Sequence, residues 1–303
     1  MAESIISVQG LIKRYGSVVA IDGISFEVNK GEVFGLLGPN GAGKTTILEC
    51  LEGMRKSDGG TLNVDGCNPQ SDGRHLRQIL GVQLQSSSLP EAIRPGEAMM
   101  LTCAWHGLSP RYDLLGHFGL DPQDKKLYCE MSTGQKRRLH LALALASNPT
   151  VVVLDEPTAG LDVQGRAQLH DSIRELKATG VTILLATHDM AEAESLCDRI
   201  AIIIRGRIAA TGTPAQITSA GNAETRITLR TKKNFLLPGR DMGGARFLKQ
   251  SEDYGIWLCH DTAVAVMELL KEIQQAGDCV EDLRVERPSL EERFLELVVR
   301  GVQ

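Results

Sequence analysis

The sequence predicts an α/β chain: a mostly parallel buried sheet, a helical subdomain inserted beside it, and a small α+β domain at the C-terminal end. Three observations carry this. Apolar runs of strand length, VFGLL, VVVL and TILLA, alternate with helical segments, the pattern of strands covered on both faces. From about residue 86 to 148 that alternation stops, and helix-favouring stretches are divided by Pro90, Pro95, Pro110 and Pro122. After Gly212-Thr213-Pro214 the character changes again, to three strand-like segments followed by a helix, a strand and a helix.

Taken in order, SVQGLIKRYG and GISFEVNKGEVFGLLG read as short strands leading into the glycine-rich stretch GPNGAGKTT, with TTILECLEGM as the helix behind it. A second series follows the helical insertion: VVVLDE as a strand, a helix over about 163–178, TILLATH as a strand, a short helix, then RIAIIIRGRIAATG. Beyond Pro214, ETRITLRTKK, ARFLKQS and YGIWLCH read as strands, TAVAVMELLKEIQQAG as an amphipathic helix and VEDLRVERP as a strand. The last helix, SLEERFLELVVRG, begins with Ser289 and Glu292 at capping-box spacing. Domains are therefore expected at 1–213 and 214–303, in line with a length that allows about two.

Composition narrows the function classes. The chain is 42% hydrophobic and 23% charged, with a formal net charge of −5, so it lacks the basic bias that nucleic-acid binding calls for. Its seven cysteines are scattered and never form C-x-x-C, which fits reduced thiols rather than a disulfide scaffold or zinc site. MAESIISVQGLIKRYG lacks the basic and apolar regions of a signal peptide. No apolar run approaches the roughly 18 residues that span a bilayer. A membrane task would need another chain for the passage.

The chemistry concentrates at the ends of the apolar strands. Gly38-Pro39-Asn40-Gly41-Ala42-Gly43-Lys44-Thr45 fits G-x-x-x-x-G-K-[ST], after a strand and before a helix. Glycines there let successive backbone N–H groups turn towards a phosphate. Lys44 reaches the β- and γ-phosphates, and the Thr45 hydroxyl ligates Mg²⁺. VVVLDE places Asp155 at the carboxyl end of a strand, near such a metal, with Glu156 next to it to orient or deprotonate an attacking water. His188 ends TILLATHD, and Gln85 ends the strand-like run GVQLQ, where it could meet the metal or the water. A second anion-suited helix start lies at MSTGQ, where Ser132, Thr133, Gly134 and Gln135 precede a strongly helical stretch.

The order Tyr15, GPNGAGKTT, Gln85, MSTGQ, VVVLDE, AGLD and His188 resembles an ABC-transporter ATPase cassette over about residues 4 to 213. The resemblance implies a P-loop NTPase fold, ATP and Mg²⁺ as cofactors, and an ATPase. It also implies roles: Tyr15 stacking on adenine, Gly38 to Thr46 around the phosphates, Gln85 as the Q-loop, Asp162 in the D-loop and His188 as the switch histidine. Thr45, Gln85 and Asp155 are the implied metal contacts. Ser132, Gly134 and Gln135 form the signature, which in this family meets the γ-phosphate held by a second cassette, so a homodimer or heterodimer is implied.

The usual LSGGQ is MSTGQ here. Met131 keeps apolar packing, and Thr133 adds a β-branched side chain near the phosphate. The tail, ending RPSLEERFLELV, resembles the C-terminal extension of drug-exporter ATPases of the daunorubicin-resistance type, which implies export. Separate integral membrane permease subunits, contacted through the helical region, and a place on the cytoplasmic face of the cell membrane follow from the same resemblance. The alternative is a soluble ABC ATPase acting on ribosomes or DNA. Its members carry paired cassettes, long coiled-coil insertions or zinc modules with paired cysteines, features this chain lacks.

Overall fold

A computed structural model describes residues 3–85, 88–220, 224–233, 241, 244–286 and 289–300. The chain divides into two compact units, Met1–Pro214 and Ala215–Gln303.

The first unit opens with β1 (Ser4–Tyr15) and β2 (Val18–Asn29), a tightly turned antiparallel pair. β3 (Val33–Leu37) then runs into the glycine-rich loop and α1 (Lys44–Leu51), and β4 (Gly59–Val64) returns to the other edge of β1. These outer strands make a separate three-stranded sheet, β2-β1-β4. The sequence predicts short strands here, whereas β1 and β2 are twelve residues each. Buried and exposed residues alternate along much of β2, as in a sheet with one wet face.

The segment α2 (Gly73–Ile79) and β5 (Leu80–Gln83) precedes the helical region, which holds α3 (Pro95–Trp105), α4 (Tyr112–His117) and α5 (Thr133–Ala144). The second βα series is β6 (Val151–Asp155), α6 (Val163–Ala178), β7 (Thr182–Thr187), α7 (Met190–Leu196), β8 (Arg199–Ile204) and β9 (Arg207–Gly212). The main sheet has the order β5-β6-β7-β3-β8-β9. Its pairings are parallel except that β9 returns along β8. Every residue of β3, β6 and β7 is buried, which is why these strands read as unbroken apolar runs. One core contains Ile6, Leu11 and Ile21 of the outer sheet, Phe34, Leu36, Val151 and Leu184 of the main sheet, and Ile47, Leu48 and Leu51 of α1. The helix behind the glycine loop is thus clamped by both sheets.

Near the division lies α8 (Pro214–Ser219). In the second unit β10 (Thr225–Thr231), β11 (Ala245–Ser251), β12 (Tyr254–Cys259) and β13 (Val280–Glu286) form an antiparallel sheet of order β11-β12-β10-β13. Ala265, Leu269 and Ile273 of α9 (Thr262–Gln275) join Ile227, Leu229 and Trp257 in its core, the i, i+4, i+8 spacing of one helix face. A Cβ on Gly255 would fall 2.1 Å from the Trp257 ring, so glycine makes the space for the indole. α10 (Leu290–Arg300) buries Leu290 and Phe294, and its Glu292 pairs with Arg226 at 2.7 Å.

Candidate nucleotide-binding site

Because β3, β5, β6 and β7 run parallel, their carboxyl ends share one edge of the sheet, where ligands of open α/β sheets bind. The chain places the glycine loop after β3, Gln85 after β5, Asp155 and Glu156 at the end of β6, and His188 after β7. The glycines there are sterically required. Gly43 caps α1 at φ 106°, and a Cβ on it would lie 2.5 Å from Ile21 Cδ1. A Cβ on Gly38 would lie 2.4 Å from the Ile203 carbonyl oxygen.

Lys44 is buried, and its ammonium donates to the Gly38 carbonyl at 2.7 Å and lies 3.6 Å from Glu156 Oε1. Burial lowers its pKa, against the opposing pull of Glu156 and Asp155. The Thr45 hydroxyl donates to Asp155 Oδ2 at 3.1 Å. Asp155 Oδ1 is buried with no hydrogen-bond partner, and burial pushes this carboxyl up despite the Thr45 bond. An orphaned hard oxygen beside a threonine hydroxyl is what a Mg²⁺ site needs, so the residues present fit that ion.

Glu156 has φ 49°, a left-handed conformation rare for a non-glycine residue. The turn swings its carboxylate off the strand and between two partners, Lys44 on one side and His188 Nδ1 at 2.6 Å on the other. The His188 side chain remains half exposed, whereas Glu156 is buried. A cavity of about 290 Å³ is lined by Asn40, Gly41, Gly43, Lys44, Thr45 and Thr46, together with Ala20, Gln85 and Glu156. Gln85 therefore meets the glycine loop, although β5 ends two residues before it, at Gln83.

Two groups of expected residues stand elsewhere. Tyr15 is 41% exposed and does not line this cavity; Arg55 and Lys13 lie over its ring at 5.1 and 5.7 Å from the centroid. Ser132, Thr133, Gly134 and Asp162 line a second cavity of about 430 Å³ that shares no residue with the first. Ser132 caps α5, accepting from Gln135 N–H at 3.2 Å while Gln135 Oε1 accepts from Ser132 N–H at 3.0 Å. Asp162 caps α6 through Gly165 N–H at 2.7 Å.

Arg137 was not singled out from the sequence. Its guanidinium donates to the Leu84 carbonyl at 3.5 Å, tying the signature helix to the residue before Gln85. The run QKRR carried the only signal, and a run of charges is as easily a solvated face.

Fold, glycine loop and paired strand-end carboxylates define a P-loop nucleotide-binding protein. Residues 21–159 match the ABC transporter family model. The chain is 35% identical to a daunorubicin resistance ATP-binding protein of Streptomyces coeruleorubidus, over 98% of this chain and 96% of that one. It is 42% identical to a Nod factor export ATP-binding protein I of Burkholderia orbicola, over 71% of this chain and 72% of that one. A solved ATP binding subunit of an ABC transporter superposes with a TM-score of 0.65 at 29% identity, covering 71% of this chain and 92% of that one. The chain belongs to the ATP-binding proteins of ABC transporters, and it is an ATPase of the kind coupled to transport.

Proposed function

We propose that the chain is the ATP-hydrolysing subunit of an exporter, acting on separate integral membrane subunits from the inner face of the cell membrane. Export is supported by the two relatives named for drug resistance and Nod factor export, the first matched along nearly the whole chain including the tail. Among the described residues no helix is long and apolar enough to cross a membrane, which fits the use of partner subunits. In this reading residues 1–213 are the cassette and 214–303 an accessory domain that adjusts dimer stability or coupling.

The observation that carries the catalytic reading is the position of Glu156, buried between Lys44 and His188 beside the Thr45–Asp155 pair. Lys44 and the backbone N–H groups of Gly41 to Thr46 hold the β- and γ-phosphates. Thr45, Asp155 and Gln85 hold Mg²⁺, which when bound neutralises phosphate oxygens. Glu156 takes the proton of the attacking water, and His188 orients that carboxylate through Nδ1. Tyr15 offers an exposed ring face for adenine. The signature residues Ser132, Gly134 and Gln135, with Asp162, serve the nucleotide of a second cassette, identical or not. Their separate cavity supports that division.

Glu156→Gln tests the reading. It should keep ATP binding, lower turnover by at least ~10² and trap a nucleotide-bound dimer visible by light scattering. Turnover near the parent rate would remove Glu156 from the role of base.

A further inference from the structure

Tyr15 ends β1, and its ring is set in a frame of charged side chains apart from the reacting groups. The Arg55 guanidinium lies 5.1 Å from the ring centroid and the Lys13 ammonium 5.7 Å. Each cation is fixed by a carboxylate. Arg55 Nε donates to Glu49 Oε2, and the Arg55 backbone N–H donates to the Glu49 carbonyl at 3.0 Å. Lys13 donates to Asp58 Oδ1 at 3.0 Å, and Asp58 Oδ2 accepts from the Arg14 N–H at 2.6 Å. Asp58 is tied back to β1, its own N–H donating to the Ile12 carbonyl at 2.8 Å. The Lys13 side chain is only 14% exposed, and those of Arg55 and Glu49 are partly buried. A solvated charge cluster would have no such order around a ring.

This frame joins the ring to the glycine loop. Glu49 lies in α1, the helix that begins at Lys44, and Arg55 follows shortly after its end. The link from Glu49 through Arg55 to Tyr15 therefore starts on the helix behind the phosphate-binding loop. That helix is held by the core both sheets share, so the ring is placed relative to the loop. A guanidinium over an aromatic ring is drawn to the ring's negative face, and its planar group can lie there while an edge N–H bonds a carboxylate. An unheld tyrosine samples several rotamers, which stacking would force it to give up. With Arg55 in place Tyr15 is still 41% exposed, so ring surface stays open to a flat partner.

We infer that Arg55 is a positioning residue for the nucleotide base: bonded to Glu49, it holds the Tyr15 ring as a preformed platform at a set span from the glycine loop. The inference rests on the reading of Tyr15 as the adenine contact and adds to it what fixes that contact. Arg55 touches neither base nor phosphate in this role and acts through the ring. It controls only the share of affinity that the base contributes, and a bare triphosphate should not sense it.

The test measures, by calorimetry on the full chain with Mg²⁺, the dissociation constants of ATP and of inorganic tripolyphosphate. Arg55→Met, which keeps an unbranched side chain, should weaken ATP roughly three- to tenfold, the scale of one lost cation–ring contact and one freed side chain. It should leave tripolyphosphate binding unchanged. Tyr15→Ala should likewise weaken ATP alone, and adding Arg55→Met to it should cost nothing further. An equal loss for ATP and tripolyphosphate in Arg55→Met marks a folding defect or a phosphate contact and overturns the role. Losses that add in the double variant overturn it as well, because Arg55 would then act without the ring. Loss with Tyr15→Ala but none with Arg55→Met leaves the platform standing and overturns the positioning role alone. If Tyr15→Ala binds ATP as tightly as the wild type, the platform reading falls, and the role of Arg55 with it.

Discussion

In the isolated chain, Glu52→Gln should raise stability, and the gain should grow with pH. An unfolded glutamate releases its proton near 4.5, whereas in the folded chain this carboxyl holds it to about 7. Between those values the folded state binds more protons than the unfolded one, so wild-type stability falls as pH rises, and above pH 7 the loss is complete. The interval of about 2.5 units, at about 1.4 kcal/mol each, sets a ceiling of roughly 3 kcal/mol. Relaxation of the surroundings and entry of water at the ionised carboxylate reduce the figure to about 1–2 kcal/mol. Glutamine has no proton to lose, so its advantage should be below about 1 kcal/mol at pH 5 and reach about 1–2 kcal/mol at pH 8.

Hydrogen exchange at the amides of Ile47, Leu48 and Leu51, which are buried in α1, measures this. Each pH compares the two proteins directly, so intrinsic exchange rates cancel. A difference that is flat with pH, or a wild type that is the more stable at pH 8, would refute the reasoning. A packing defect introduced by glutamine would instead lower stability at every pH.

Lys44→Ala should abolish tight ATP binding, since it removes the buried charge proposed to hold the β- and γ-phosphates. Tyr15→Ala should lose only roughly 1–3 kcal/mol of stacking, and equal losses in a titration with labelled ATP would contradict the two roles. Ser132→Arg and Glu156→Gln should each inactivate a homodimer. Mixing the two variants should restore part of the activity, because in a mixed dimer both lesions fall on one site if the signature acts on its partner's nucleotide. With mixed dimers verified by mass spectrometry and a wild-type/mutant dimer shown to be active, failure to recover turnover would refute action across the dimer.

Features held by local geometry were legible in the sequence. The glycine loop could be read because Gly38 and Gly43 have no room for a Cβ, and a motif is the record of such steric demands. The buried strands could be read because a parallel strand covered on both faces admits only apolar residues. Legibility ended where a side chain depends on a partner far along the chain. Thr45 meets Asp155 across 110 positions, and the family resemblance supplied the residues but not the contact. The φ of 49° that turns Glu156 towards Lys44 and His188 leaves no mark in VVVLDE. Tyr15 was placed by its position in the motif order, yet its ring environment is set by Arg55, which no motif includes.

Glu52 shows the same limit most sharply. In TTILECLEGM it reads as an ordinary polar residue at a helix end, and only the closure of α2, β5 and the helical region around it takes its carboxylate out of water. Its place also has a mechanical consequence. The eight-residue helix α1 begins with Lys44, in the glycine-loop cavity, and is capped by Glu52, in the wall of a cavity of about 530 Å³ beside the helical region. At 1.5 Å per residue the two backbone positions stand about 12 Å apart on one short rod, held by the core that both sheets share. A rod of two turns packed on both sides has little freedom to bend. A displacement at the Lys44 end of the helix therefore reaches Glu52, and hydrogen exchange slowed by ATP as far as Leu51 would show the helix responding as one piece.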